Sequence, residues 1–146
     1  MNSRLPMLAA ATLGLTIGAM ALAHGVVEHD GKSKQLKFFP DAQQMDLASM
    51  EEPGVAAFFS DIVGSGHPQS PISCGLFEIE AGKPLVYTYD YDDIKIMLEG
   101  NINFSDGQQE VSAKPGDVLF FPNGSTITFS TETSGLAFAC GQRAVF

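Results

Sequence analysis

The chain is short of positive charge: 8 Lys and Arg face 17 Asp and Glu among 146 residues, a net charge of −9. That balance repels phosphate backbones and anionic lipids, which argues against nucleic-acid binding. Histidine is scarce too, with His24, His29 and His67 the three present. None follows residue 67, so the C-terminal half has no imidazole to act as a base or a metal ligand. The two cysteines, Cys74 and Cys140, therefore lack an obvious partner base and make poor catalytic nucleophiles. No Gly-rich phosphate loop with a Lys-Ser/Thr pair is present. Repeats, low-complexity tracts and linkers are also missing, which leaves one domain.

What the N-terminus does contain is an apolar run from Leu5 to Ala23, preceded by the single charge of Arg4 and closing on Ala21-Leu22-Ala23. This pattern reads as a secretory signal peptide over residues 1–23, cleaved after Ala23. The alternative is a retained membrane anchor, since the run approaches the roughly 20 residues that span a bilayer. Its Ala, Gly and Thr content and the lack of a following basic cluster favour cleavage, and no stable membrane span is expected afterwards. Cleavage leaves 123 residues starting at His24, with 7 basic against 17 acidic residues and a net charge of −10. The expected location is secreted or periplasmic. An even cysteine count in such a compartment suggests a disulfide, the alternative being two buried thiols packed as small hydrophobes.

Turn residues punctuate the remainder into short strands. Leu36–Phe39 reads as a first strand stopped by Pro40-Asp41, Gly54–Val63 as a second, and residues 64–68 as loop. Further strands are expected over 72–80, 85–91, 93–104, 110–113 and 118–121, with two more flanking Ser134-Gly135. Asp106-Gly107 is a hairpin turn signal, because both residues tolerate positive φ. Gly116 and Gly124 answer the same backbone demand. Many short strands without a helical period argue for an all-β sandwich or barrel.

Two segments sharpen that expectation. Tyr87-Thr88-Tyr89-Asp90-Tyr91-Asp92-Asp93 runs on to Gly100, and Gly116-Asp117-Val118-Leu119-Phe120-Phe121-Pro122-Asn123-Gly124 follows. They resemble the two motifs of the cupins, in which His-x-His-x-x-x-Glu precedes a glycine, and a second glycine precedes Pro-x-Gly and a last histidine. Here Tyr87 and Tyr89 stand at the histidine pair, Asp93 at the glutamate and Ile127 at the last histidine. Over about residues 70–146 the chain is most similar to small cupins of the ethanolamine-utilisation EutQ type. Leu98-Glu99-Gly100, Lys114-Pro115-Gly116-Asp117-Val118, Ser125–Thr131 and Cys140-Gly141-Gln142-Arg143 carry that similarity. The resemblance implies a cupin double-stranded β-helix, or jelly-roll barrel, over 71–146, with an N-terminal extension over 24–70 whose strands join it. It also implies that the strand before the first motif neighbours the last strand, which would bring Cys74 near Cys140. The acetate kinase activity linked to the EutQ type is not carried over, because an exported chain meets little ATP.

Side chains alternate along a strand, so Asp93, Lys95 and Met97 share one face, as do Tyr87 and Tyr89. If that face is the barrel interior, a carboxylate and an ammonium meet two phenols in a low-dielectric site. Such a pair can simply satisfy itself, or can bind a small polar or anionic molecule. It can also act as the acid–base pair of a metal-free lyase, isomerase or decarboxylase, with Tyr87 or Tyr89 as proton donor. No cofactor is expected. A divalent metal is the alternative, on Tyr87, Tyr89 and Asp93 in the barrel, or as copper on the His24 amine and imidazole. Asn103-Phe104-Ser105 and Asn123-Gly124-Ser125 are glycosylation sequons, relevant in a eukaryotic secretory pathway. A homodimer is a further expectation, since jelly-roll sheets pair through edges or faces.

Overall fold

The computed structural model of the chain describes residues 27–28 and 35–146. The expected signal peptide, His24 and His29 lie outside the described residues. Among the described residues eleven strands occur in chain order: β1 (Val27–Glu28), β2 (Ala48–Ser49), β3 (Ala57–Gly64), β4 (Ser73–Glu80), β5 (Leu85–Thr88) and β6 (Asp93–Gly100). They continue with β7 (Ile102–Ser105), β8 (Glu110–Ala113), β9 (Val118–Phe121), β10 (Thr126–Ser130) and β11 (Ser134–Gly141). A large sheet has the order β1-β3-β4-β11-β6-β9, with β2 also paired to β3, and a small sheet has the order β5-β10-β7-β8. Every pairing among these strands is antiparallel except β1 with β3. This is the all-β jelly-roll expected from the sequence.

The two sheets close on a core that includes Phe77, Ile79, Met97 and Ala137 from the large sheet and Leu85, Phe104, Ile127 and Phe129 from the small one. Rings bridge the sheets, with the centroids of Phe77 and Phe129 5.2 Å apart and tilted at 55°. A second cluster lies around Ile62, Leu76 and Leu136, where Phe39, Ala42, Met45 and Leu47 pack against them. Residues 39–47 thus cover part of the large sheet rather than extend it. Among the described residues no helix is long and apolar enough to cross a membrane.

Three sequence expectations are corrected. Residues 35–39 are irregular instead of a strand, with Leu36 and Phe38 94% and 81% exposed. Only Phe39 of that apolar run finds a packing site, and the chain then turns at Pro40-Asp41. The expected segment 93–104 is two strands in different sheets, β6 and β7, divided at Gly100-Asn101. The turn expected at Ser134-Gly135 falls just before it, and Gly135 lies inside β11, where Ile102 fills the space a side chain would take.

Gly100 is the hinge of the division. Its φ is +64°, and a Cβ there would lie 2.1 Å from the Ser134 carbonyl oxygen. Left-handed backbone alone costs an L-residue about 1–2 kcal/mol, and the clash with backbone adds to it. Gly100→Ala is therefore expected to lose at least about 2 kcal/mol of stability in chemical denaturation. A loss below about 0.5 kcal/mol, the size of an ordinary surface change, would show that the turn can relax.

Candidate functional site

Strand β6 inverts the usual polarity of a sheet. Asp93, Lys95 and Met97 point inward and are buried, whereas Ile94 and Ile96 on the opposite face are 46% and 39% exposed. Register fixes this arrangement, because Asp93, Lys95 and Met97 sit opposite Gly141, Ala139 and Ala137 of β11. A slip of one residue would exchange the faces. Small partners on β11 leave room for the inward side chains, and Leu98 falls at a register shift between the two strands.

Inside, Lys95 Nζ donates to Asp93 Oδ1 at 2.7 Å, with both side chains 4% exposed. The ammonium also faces three rings, Phe77 at 5.4 Å and Tyr89 and Phe121 each at 5.7 Å. Burial pushes the Asp93 carboxyl above its ordinary range, against the pull of the Lys95 charge. Burial likewise lowers the pKa of Lys95 from the ordinary lysine value, with Asp93 opposing that shift. Removal from water thus works against both charges, and each holds the other in place.

A cavity of about 380 Å³ opens onto this pair, walled mainly by aromatic and aliphatic side chains. Tyr87, Tyr89, Asp93 and Lys95 all line it, so the four residues singled out from the motif meet in one place. Tyr87 lies on β5 directly opposite Ile127 of β10. Tyr89 follows β5, held by its N–H to the Ser125 carbonyl (2.9 Å) and by the Gly124 N–H to its own carbonyl (2.8 Å). Its ring stacks on Phe121 at 5.3 Å and meets Tyr87 edge-on at 4.8 Å. Burial, reinforced by the Asp93 charge, holds its phenol well above the ordinary tyrosine range, so it stays protonated.

Sequence reasoning assigns no role to Tyr91 or Arg143, although both stand in the segments that carry the resemblance. Tyr91 lines the cavity, its hydroxyl 3.4 Å from that of Tyr87. Burial raises its pKa, and the bond to Tyr87 raises it further. Behind this wall Arg143 makes a two-pronged contact with Asp61, both distances 2.9 Å. Its guanidinium lies 3.7 Å from the Phe146 ring centroid. Burial opposes the Arg143 charge, but Asp61 overcomes it and holds the group firmly protonated. Asp61 also accepts the Phe146 N–H at 2.9 Å, which fixes Phe146 at the cavity.

The remaining candidates lie elsewhere. His67 is exposed in a loop, where its Nδ1 accepts the N–H of Ser70 at 3.0 Å. Asn123 donates through its side chain to the Asp90 carbonyl (3.0 Å), while Asp92 accepts its N–H (2.8 Å). Asn103 is half-buried within β7. Cys74 and Cys140 face one another across β4 and β11 and form a disulfide, with Cα atoms 4.1 Å apart.

Cupins commonly hold a divalent metal where the two motifs meet. The donors at that place here are one carboxylate and the phenols of Tyr87 and Tyr89, the second of which burial keeps neutral, beside an ammonium 2.7 Å from the carboxylate. Ile127 offers no donor at all. A cation would meet a positive charge and weak oxygen ligands, so these residues do not fit one. Among the described residues no three His, Cys, Asp or Glu side chains come together as a metal cluster.

The fold is that of a cupin: the cupin domain of Cnp3 from Schizosaccharomyces pombe superposes with a TM-score of 0.55 over 72% of this chain and 67% of that one, at 15% identity. More specifically, residues 26–138 match the family model described as ethanolamine utilisation protein EutQ, and the chain belongs to that family. The match takes in β1 to β3, well before the motif segment. Acetate kinase EutQ of Salmonella typhimurium is 44% identical over 48 residues, which are 33% of this chain and 21% of that protein. The aligned part thus spans about a fifth of that curated relative. A crystal structure of a Salmonella typhimurium EutQ has a TM-score of 0.54 and 30% identity, covering 60% of this chain and 70% of that one.

Proposed function

We propose that this chain is an exported, metal-free cupin that binds a small molecule with an apolar body and a polar or anionic head. The observation that carries the reading is the buried Asp93–Lys95 pair at the aromatic cavity, on a strand that leaves its isoleucines outside. Burying an ion pair is seldom the most stable use of a strand position. A fold gains from retaining one where a ligand's polar group meets it. The aromatic walls suit the apolar body, and the hydroxyls of Tyr87 and Tyr91 offer further hydrogen bonds. The disulfide and the N-terminal apolar segment support export. A triphosphate finds little here, since the cavity is walled mainly by aromatic and aliphatic side chains.

Saturation-transfer NMR with benzoate and hexanoate tests the reading. Wild-type protein is expected to show transfer from the ring or alkyl protons, and Lys95→Met to lose about tenfold in affinity, the worth of one charge-assisted hydrogen bond. No transfer to either acid, or equal binding by the variant, would count against an anion-binding cavity. A second reading is supported by the 2.7 Å contact and the opposed shifts of Asp93 and Lys95. In that reading the pair is the acid and base of a lyase, isomerase or decarboxylase, with Tyr87 or Tyr89 as proton donor.

A further inference from the structure

We propose that Lys95 is a nucleophilic amine that condenses with a small aldehyde or ketone in the inter-sheet cavity to form an imine. The inference rests on the reading of the cavity as a small-molecule site. It adds the class of that molecule and the atom that meets it. Lys95 is 4% exposed, lines the cavity and is faced by the rings of Phe77, Tyr89 and Phe121. Its one hydrogen bond among the described residues goes to Asp93. An amine in such a place differs from a guanidinium in one decisive way: it can lose its proton when dry. Burial and the nearby Arg143 charge both favour the neutral amine, and a desolvated lysine near a second cation is the usual form of a nucleophilic one.

The proton has a place to go. Asp93 Oδ1, 2.7 Å from Nζ, takes it from the ammonium, and the freed lone pair attacks the carbonyl carbon. Asp93 returns that proton to the carbonyl oxygen, giving a carbinolamine. The nitrogen lone pair then expels the hydroxyl, which leaves as water with a proton passed through Asp93 from Nζ. The result is a protonated imine paired with the carboxylate, from one carbonyl, one ammonium and one carboxylate, with one water released. No oxidant, reductant or metal takes part. Tyr87 and Tyr91, with hydroxyls 3.4 Å apart at the wall, are placed to donate to the carbonyl oxygen.

The test is reductive trapping of the full chain with butanal and cyanoborohydride at neutral pH, mapped by peptide mass spectrometry. The exposed Lys37, Lys83 and Lys114 serve as internal references for ordinary amine reactivity. Lys95 is expected to gain its butyl group at least about tenfold faster than any of them, because the cavity holds the carbonyl beside its amine. Labelling of the exposed lysines with Lys95 unmodified would overturn the proposal. Saturation transfer from butanal without reductant separates the two readings. Transfer with no Lys95 adduct removes the imine and leaves the binding cavity, whereas neither transfer nor adduct removes both for this carbonyl. The wild-type chain alone suffices, so no variant has to fold.

Discussion

Asp93→Leu alone is expected to destabilise the protein by about 3–5 kcal/mol, because it strands a buried ammonium. Lys95→Met alone is expected to cost less, since the lone carboxyl can take up a proton and remain neutral. The double variant, Asp93→Leu with Lys95→Met, should return to within about 1 kcal/mol of wild type or exceed it, as buried ion pairs replaced by apolar residues of similar volume commonly do. The signs of the pH dependence are opposite for the two single variants. Burial raises the pKa of Asp93, so a folded chain carrying Lys95→Met binds more protons than the unfolded one. Its stability is full below the unfolded carboxyl value and is lost as pH rises through the folded value. Burial lowers that of Lys95, so the Asp93→Leu chain binds fewer protons when folded. That variant is fully stable above the unfolded lysine value and loses stability as pH falls through the folded one.

Guanidinium unfolding at several pH values, with the double variant as reference, reads both slopes while the other carboxylates cancel. Each slope can reach about 1.4 kcal/mol per pH unit for one proton. Parallel slopes for the two single variants would mean that the pair is wet, and the low-dielectric site would have to be abandoned. A fully stable double variant that no longer binds benzoate would show that the pair is retained for the ligand and at the expense of stability.

This pair was legible in the sequence because alternation is a local property. With Asp93 set inward by the motif, Lys95 follows at two residues and Met97 at four. Tyr87 and Tyr89 follow by the same spacing, and the tight turns at Gly116 and Gly124 have the expected positive φ, +93° and +88°. The Arg143–Asp61–Phe146 group was not legible. Its members are brought together across 82 residues of sequence by β3 and the segment after β11, and no spacing rule announces such a contact. Leu36–Phe39 misleads for the opposite reason: an apolar run predicts a strand where only Phe39 is used in packing. Phe77 and Phe121 look like ordinary core residues in the sequence, and only the strand order of the large sheet, with β4 and β9 on either side of β11 and β6, sets them beside an ammonium.

Removing the disulfide is the second large effect expected. Cys74 and Cys140 are direct partners across β4 and β11, 66 residues apart in sequence. The loop they close contains β5 to β10, which is the whole small sheet together with the site strand β6. By the chain-entropy model, freeing a loop of that length stabilises the unfolded state by about 4 kcal/mol. A domain of this size has a total stability of about 5–15 kcal/mol, so the bridge is a large share of it. Cys74→Ala with Cys140→Ala should therefore unfold at much lower guanidinium. It should still bind benzoate below its transition, because the ladder between β4 and β11 extends from Ser73 to Glu80 without the sulfurs and neither cysteine lines the cavity. Dithiothreitol should shift wild-type protein to the same midpoint and leave the double variant unmoved. A midpoint indifferent to reduction would mean that the sulfurs act as packed thiols. A chain so dependent on one oxidised bond is suited to an oxidising compartment.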